Sequence, residues 1–287
     1  MSDTLDQSSD RDTTAPPPRF RLLELADGPD STTFRLEVRP ALCTPFAFLY
    51  GGSGIAASVE ASEQATGRPL QWITTQYVGS PKPGDVVDFD VNIAATGRAT
   101  TQTQVTGTVD GAVVLASVCA HNVRPAGDEN AFGTMPEVPG PGESRSFDEI
   151  FQTDVSASFF DSFERRIAIG KFAGEAVGDP QTDGLAMWVR MFDQGIGSPA
   201  TQGFVADLGP LAVCASLGVA PGGTSLDNTI RVVDPTPGDW VLIEIEADGF
   251  HRSVGHSTAR LWSEDGRLLG LAQQSAIVRT SHHQPAQ

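Results

Sequence analysis

The chain has 287 residues, 39% of them apolar, which is enough for a folded core. Its formal charge of -17 argues against a nucleic-acid partner, because a phosphate backbone attracts clustered Lys and Arg. No apolar run is long enough to span a bilayer, and the acidic start has neither the basic nor the apolar region of a secretory signal. A cytoplasmic protein without a membrane segment is therefore expected. Cys43, Cys119 and Cys214 have no metal-ligand spacing and fit a reducing compartment.

Residues 1–18 are polar, close on Pro16-Pro17-Pro18, and read as a disordered tail. Short strands are expected at 20–25 and 33–38. Gly51-Gly52-Ser53-Gly54 reads as a tight turn from strand to helix. An Ala-rich helix then runs over 55–66 and stops at Gly67-Arg68-Pro69. Four strands follow at 70–78, 86–94, 100–108 and 112–123, the last two joined by the hairpin signal Asp110-Gly111. The stretch 125–150 is rich in Pro, Gly and Glu and reads as a linker. Strands at 159–169 and 185–191 precede a second helix over 201–217, stopped by Gly218. Strands at 224–233, 240–247, 257–262 and 268–279 complete the chain, and the remaining tail is expected to fray.

The sequence repeats itself. Pro81-Lys82-Pro83-Gly84-Asp85 returns as Pro235-Thr236-Pro237-Gly238-Asp239, an offset of 154 residues. Asp110-Gly111 returns as Asp265-Gly266, an offset of 155. A helix followed by an antiparallel meander, twice over, predicts an α+β double hotdog: two tandem units, each a central helix wrapped by a sheet. The second helix is apolar almost all round at Leu211-Ala212-Val213-Cys214-Ala215, as burial inside such a sheet requires. The units are expected at 19–124 and 151–280. A sheet with open edges and faces further predicts a homo-oligomer, dimer or tetramer.

Several segments in order resemble the double-hotdog acyl-CoA thioesterase II family. They are Leu49-Tyr50-Gly51-Gly52 before a helix, Met187-Trp188-Val189-Arg190, Val205-Ala206-Asp207-Leu208, Ser225-Leu226-Asp227-Asn228, and Gln274-Ser275-Ala276-Ile277-Val278-Arg279. The resemblance spans about Ala41 to Arg279 and implies hydrolysis of acyl-CoA thioesters. That family holds its hydrolytic water with an Asp, a Thr and a Gln, which fall here on Asp207, Ser225 and Gln274. Ser225 keeps the hydroxyl of the family Thr. Asn228 stands in place of a His, and Ser275 in place of a Glu.

These residue types suit the reaction. Asp207 can take a proton from water, and a hydroxyl and an amide can orient that water because each donates and accepts. A thiolate leaves readily, so no histidine is required as acid. Shifted by the repeat offset, the first-half positions matching the three are Ser53, Gln71 and Cys119, none of them acidic. One hydrolytic site per chain is therefore expected, in the second half. The alternative is a hotdog module that binds an acyl thioester or lipid without turning it over. Taken singly, an Asp near a helix end is a cap and a Gln in an apolar strand is a hydrogen-bonding residue.

Other signals are weaker. Gly52 to Ala57 fits a loose dinucleotide-binding pattern, but the parallel strand context is missing. There is no G-x-S-x-G elbow. His251 and His256 lack companion ligands, so neither a metal nor a cofactor is expected. Lys82, Arg98, Arg190 and Arg231 are candidates for a CoA phosphate, or else partners of surface carboxylates. Trp188, Trp240 and Trp262 read as packing anchors.

Overall fold

The structure, a computed structural model, describes residues 19–125, 132–147, 157–172, 174–181 and 184–280. The expected tail 1–18 and part of the expected linker lie outside the described residues.

The first half runs β1 (Ala26–Asp27), β2 (Thr33–Glu37), α1 (Gly51–Thr66), β3 (Leu70–Tyr77), β4 (Val86–Thr96), β5 (Thr100–Val109) and β6 (Ala112–Asn122). The second runs β7 (Arg145–Ser146), β8 (Phe163–Ile169), β9 (Leu185–Met191), α2 (Pro199–Ala206), α3 (Gly209–Leu217), β10 (Gly223–Val232), β11 (Val241–His251), β12 (Val254–Ser263) and β13 (Leu268–Val278). Residues 20–25, expected as a strand, form turns instead, and 159–162 form a short 3-10 turn before β8. All pairings are antiparallel, in the order β1-β2-β4-β5-β6-β3-β10-β13-β12-β11-β9-β8-β7. Read outward from the β3–β10 seam, the two halves repeat the same succession of six strands, with β7 added at the outer edge of the second, the α+β double hotdog expected from the duplication. At the seam Thr74 faces Thr229, their hydroxyls 2.9 Å apart.

Helix α1 is buried from Gly52 to Glu63. Gly, Ala and Ser dominate this stretch, so the sheet closes tightly around it, and Ile55 and Val59 supply bulk to the core. Gly51–Gly54, expected as a turn, form the first turn of α1. The helix ends at Gly67, whose φ of 62° lets its N–H reach the Glu63 carbonyl at 2.8 Å. Outside the second-half sheet, Met135 and Val138 cover a cluster built on Trp188, Trp240 and Trp262. The Trp188 indole donates to the Pro139 carbonyl at 2.9 Å, so this part of the expected linker lies against the second half. No helix among the described residues is long and apolar enough to cross a membrane.

Two carboxyls are buried on α1. Glu63 accepts the Leu70 N–H at 2.8 Å, and Glu60 accepts the Phe20 N–H at 3.2 Å, tying the N-terminal segment to the helix. Burial outweighs these bonds and pushes both carboxyls up to about 7. A carboxyl that keeps its proton longer folded than unfolded lowers stability as pH rises from about 4.5 to about 7, and its cost is constant above that. Replacing Glu63 with Gln is therefore expected to raise the unfolding free energy at pH 8 by up to roughly 3 kcal/mol. Near pH 4 the same change is expected to do little. Urea unfolding at the two pH values checks this, and an equal gain at both would contradict it.

Candidate active site

The site begins at a broken helix. The helix expected over 201–217 is two helices, α2 and α3, with Asp207 and Leu208 between them. Pro210 accounts for the break. It has no N–H to give the Ala206 carbonyl, and its ring crowds that carbonyl, so α2 stops; in the first turn of α3 the same proline is tolerated. Asp207 thus caps the C-terminus of α2 rather than starting a helix.

This bend turns the Asp207 side chain against the N-terminus of α1 in the other half. The carboxylate is 5% exposed. It accepts hydrogen bonds from the Gly52 N–H, from Asn228 Nδ2 at 3.1 Å and from Gln274 Nε2. Gln274 Nε2 also donates to Ser225 Oγ at 2.8 Å. Its amide orientation follows from its other end, where Oε1 accepts the Gly209 N–H at 3.0 Å. The three residues expected from sequence, Asp207, Ser225 and Gln274, therefore form one hydrogen-bonded group. Asn228, fully buried beside Gln274 in the β10–β13 register, is a fourth member. Its place in the Ser225–Asn228 segment was visible in the sequence, but its bond to Asp207 was not.

Burial pushes the Asp207 carboxyl up to about 7, and the bonds from Asn228, Gly52, Ser225 and Gln274 oppose that rise. The N-terminus of α1 also favours negative charge there. A buried carboxylate tuned to neutral pH and held by fixed donors can exchange a proton with a neighbouring molecule under ordinary conditions.

Asp207 and Ser225 both line a cavity of about 690 Å³. Its walls are largely aromatic and aliphatic, with Phe46, Phe48, Phe159, Phe160 and Leu211 among them. Tyr50 stacks on Phe159 with ring centroids 3.6 Å apart, and its hydroxyl donates to the Phe204 carbonyl at 3.0 Å, joining the two halves beside the site. Tyr77 donates to the Gly51 carbonyl at 2.8 Å. Such a cavity suits a largely apolar ligand, with Asp161 and Arg165 as further charged residues on its wall.

The first half does not repeat this group. The strand irregularity between Ser225 and Asp227 has its twin between Leu70 and Trp72, so the counterpart of Ser225 is Leu70 rather than Gln71. Gln71 instead donates to the Val232 carbonyl across the seam at 2.8 Å. Cys119 pairs with Ile73 as Gln274 pairs with Asn228, and it is a buried free thiol. Ser53 donates to the Leu42 carbonyl inside α1's packing. Arg190 binds Glu164 at 2.6 Å and Asp239 at 3.7 Å, and Arg231 lies over Trp72, so each has a protein partner. No group of three His, Cys, Asp or Glu among the described residues is arranged to hold a metal.

Close approach at Gly51 keeps the site together. A Cβ there would lie 2.5 Å from Asp207 Oδ2 and 3.1 Å from the Tyr77 ring. Gly51→Ala is expected to cost roughly 1–3 kcal/mol by overpacking. Gly249→Ala, where the new methyl meets nothing, is expected to stay within about 0.5 kcal/mol. Chemical unfolding of both variants checks the contrast.

The sequence model of the acyl-CoA thioesterase C-terminal domain matches residues 133–278, just over half of the chain. Among solved structures, a candidate thioesterase from Novosphingobium aromaticivorans superposes with a TM-score of 0.79 at 26% identity, over 89% of this chain and 98% of that one. A protein of unknown function with a hot dog fold from Alicyclobacillus acidocaldarius gives 0.78 at 18% identity, over 90% and 97%. An acyl-CoA thioesterase II from Mycobacterium marinum gives 0.70 at 15% identity, over 92% and 98%. The last two likenesses are of fold. No curated protein matches the sequence.

Proposed function

The chain belongs to the acyl-CoA thioesterase family, and from that we propose that it hydrolyses acyl-CoA thioesters to the free acid and CoA, with Asp207 as the base. The observation that carries this reading is the buried Asp207 carboxylate, bonded to Gln274 and Asn228 and opening with Ser225 on an apolar cavity.

The acyl chain occupies the cavity and brings its thioester carbonyl to the Asp207 end. Asp207 takes a proton from a water while the water oxygen bonds to the carbonyl carbon. Ser225 accepts from Gln274 and gives its one hydroxyl hydrogen to Asp207, which aims the carboxylate at the cavity where the water is deprotonated. Gln274 is a positioning residue: fixed by the Gly209 N–H, it holds Asp207 and Ser225 in register. The α1 N-terminus faces the negative charge as it forms. The C–S bond then breaks, the electron pair leaves with the CoA sulfur, Asp207 returns its proton to that sulfur, and the acid and thiol separate.

Two measurements test the assignment. Asp207→Asn keeps the shape and removes the base, and it is expected to lower kcat by about 10²–10⁴. Free-thiol release from acyl-CoAs of graded length reads this, and a variant as active as the parent would overturn the role of Asp207. The pH profile gives a second check. Asp207 must be ionised to act, so kcat/KM is expected to rise with pH and level off above about 7. A profile that is flat from pH 5 to 9 would contradict the base.

A further inference from the structure

The peptide that hands its N–H to Asp207 is itself held from behind. N–H groups in the first turn of a helix have no acceptor within that helix, so the Gly52 N–H is available to the carboxylate. The carbonyl of the same peptide belongs to Gly51, and it accepts the Tyr77 hydroxyl at 2.8 Å. One chain of hydrogen bonds therefore runs from Tyr77 through the Gly51–Gly52 peptide to Asp207. The three groups are in close approach, since a Cβ on Gly51 would lie 2.5 Å from Asp207 Oδ2 and 3.1 Å from Tyr77 Cζ, the carbon that bears the hydroxyl.

Strand pairing brings Tyr77 to this place. On β3, Ile73 and Thr75 are buried, and Tyr77 follows two residues on with the same alternation. Thr75 pairs with Asn228 and Gln76 with Asp227, so Tyr77 reaches the end of β10 that carries Ser225. Burial, then the charges of Asp207 and Asp227, push the Tyr77 phenol well above its ordinary range, so it stays neutral. A neutral phenol has one hydrogen to give and a carbonyl can only accept, which fixes the direction of the bond. Donation to a peptide carbonyl polarises the peptide and makes its N–H a stronger donor. Tyr50, the other of the chain's two tyrosines, gives its hydroxyl to the Phe204 carbonyl instead.

We propose that Tyr77 is a positioning residue for Asp207: by its bond to the Gly51 carbonyl it orients and polarises the peptide whose N–H supports the carboxylate. The proposal rests on the thioesterase reading for the use made of that carboxylate, and not for the chain of bonds itself. Tyr77→Phe keeps the ring and removes the hydroxyl. It is expected to move the midpoint of the kcat/KM rise upward by a few tenths to about one pH unit, because the carboxylate loses support. Placing 3-fluorotyrosine at position 77 makes the hydroxyl a stronger donor and is expected to move the midpoint downward. The titratable groups facing Asp207 are Tyr50 and Tyr77, with Asp227 on β10 and with Asp161 and Arg165 on the cavity wall, and only Tyr77 changes in these variants. The midpoint is also read without turnover from the ¹³C signal of the Asp207 carboxyl, assigned by its loss in Asp207→Asn. Circular dichroism and melting establish that the variants are folded. A midpoint that stays put in Tyr77→Phe, or that moves the same way in both variants, overturns the proposal. If the carboxyl signal shifts as expected and no thioester is cleaved, the hydrolytic reading fails while the role of Tyr77 stands.

Discussion

The polar group that joins the two halves is built around one buried carboxylate. Asp207 is held by groups from both halves: Gly52 from α1, Asn228 from β10 and Gln274 from β13. Each donor lowers the cost of charge, yet burial still dominates and leaves the group near neutrality. A carboxyl left in water near its usual value would be a weak base at neutral pH. One buried without donors would stay protonated. The double fold supplies the intermediate case, because neither half alone contains both the helix N-terminus and the strand donors.

The duplication explains how the polar group is built, and the side chains explain why the first half does not repeat it. Two similar sheets join at β3 and β10, and the helix of one half points its N-terminus at the broken helix of the other. The halves then diverge in side chains. Leu70 replaces the hydroxyl of Ser225, Cys119 replaces the amide of Gln274, and α1 continues unbroken past Ser53. The first half contributes walls and a helix dipole, and the second contributes the polar group.

Much of this was legible in the sequence because it depends on periodicity and turn chemistry. The repeated Pro-x-Pro-Gly-Asp frame, the two Asp-Gly turns and the all-round apolar second helix led to the double hotdog. The ordered segments around Asp207, Ser225 and Gln274 led to residues that do meet in space. What escaped depended on local backbone choices or on distance. The β11–β12 turn uses Arg252 and Ser253, both with positive φ, where no Gly signals it. Pro210 breaks a helix whose apolar pattern continues across the break. Leu70 rather than Gln71 matches Ser225 because each strand carries an irregularity that a fixed offset passes over.

The most direct test of the central claim is a single turnover in ¹⁸O-labelled water, with protein in excess over acyl-CoA. If Asp207 acts as a base on water, one labelled oxygen appears in the released acid and none in the protein. Label found in the Asp207 carboxylate would mean that it had attacked the thioester itself, and would contradict the account.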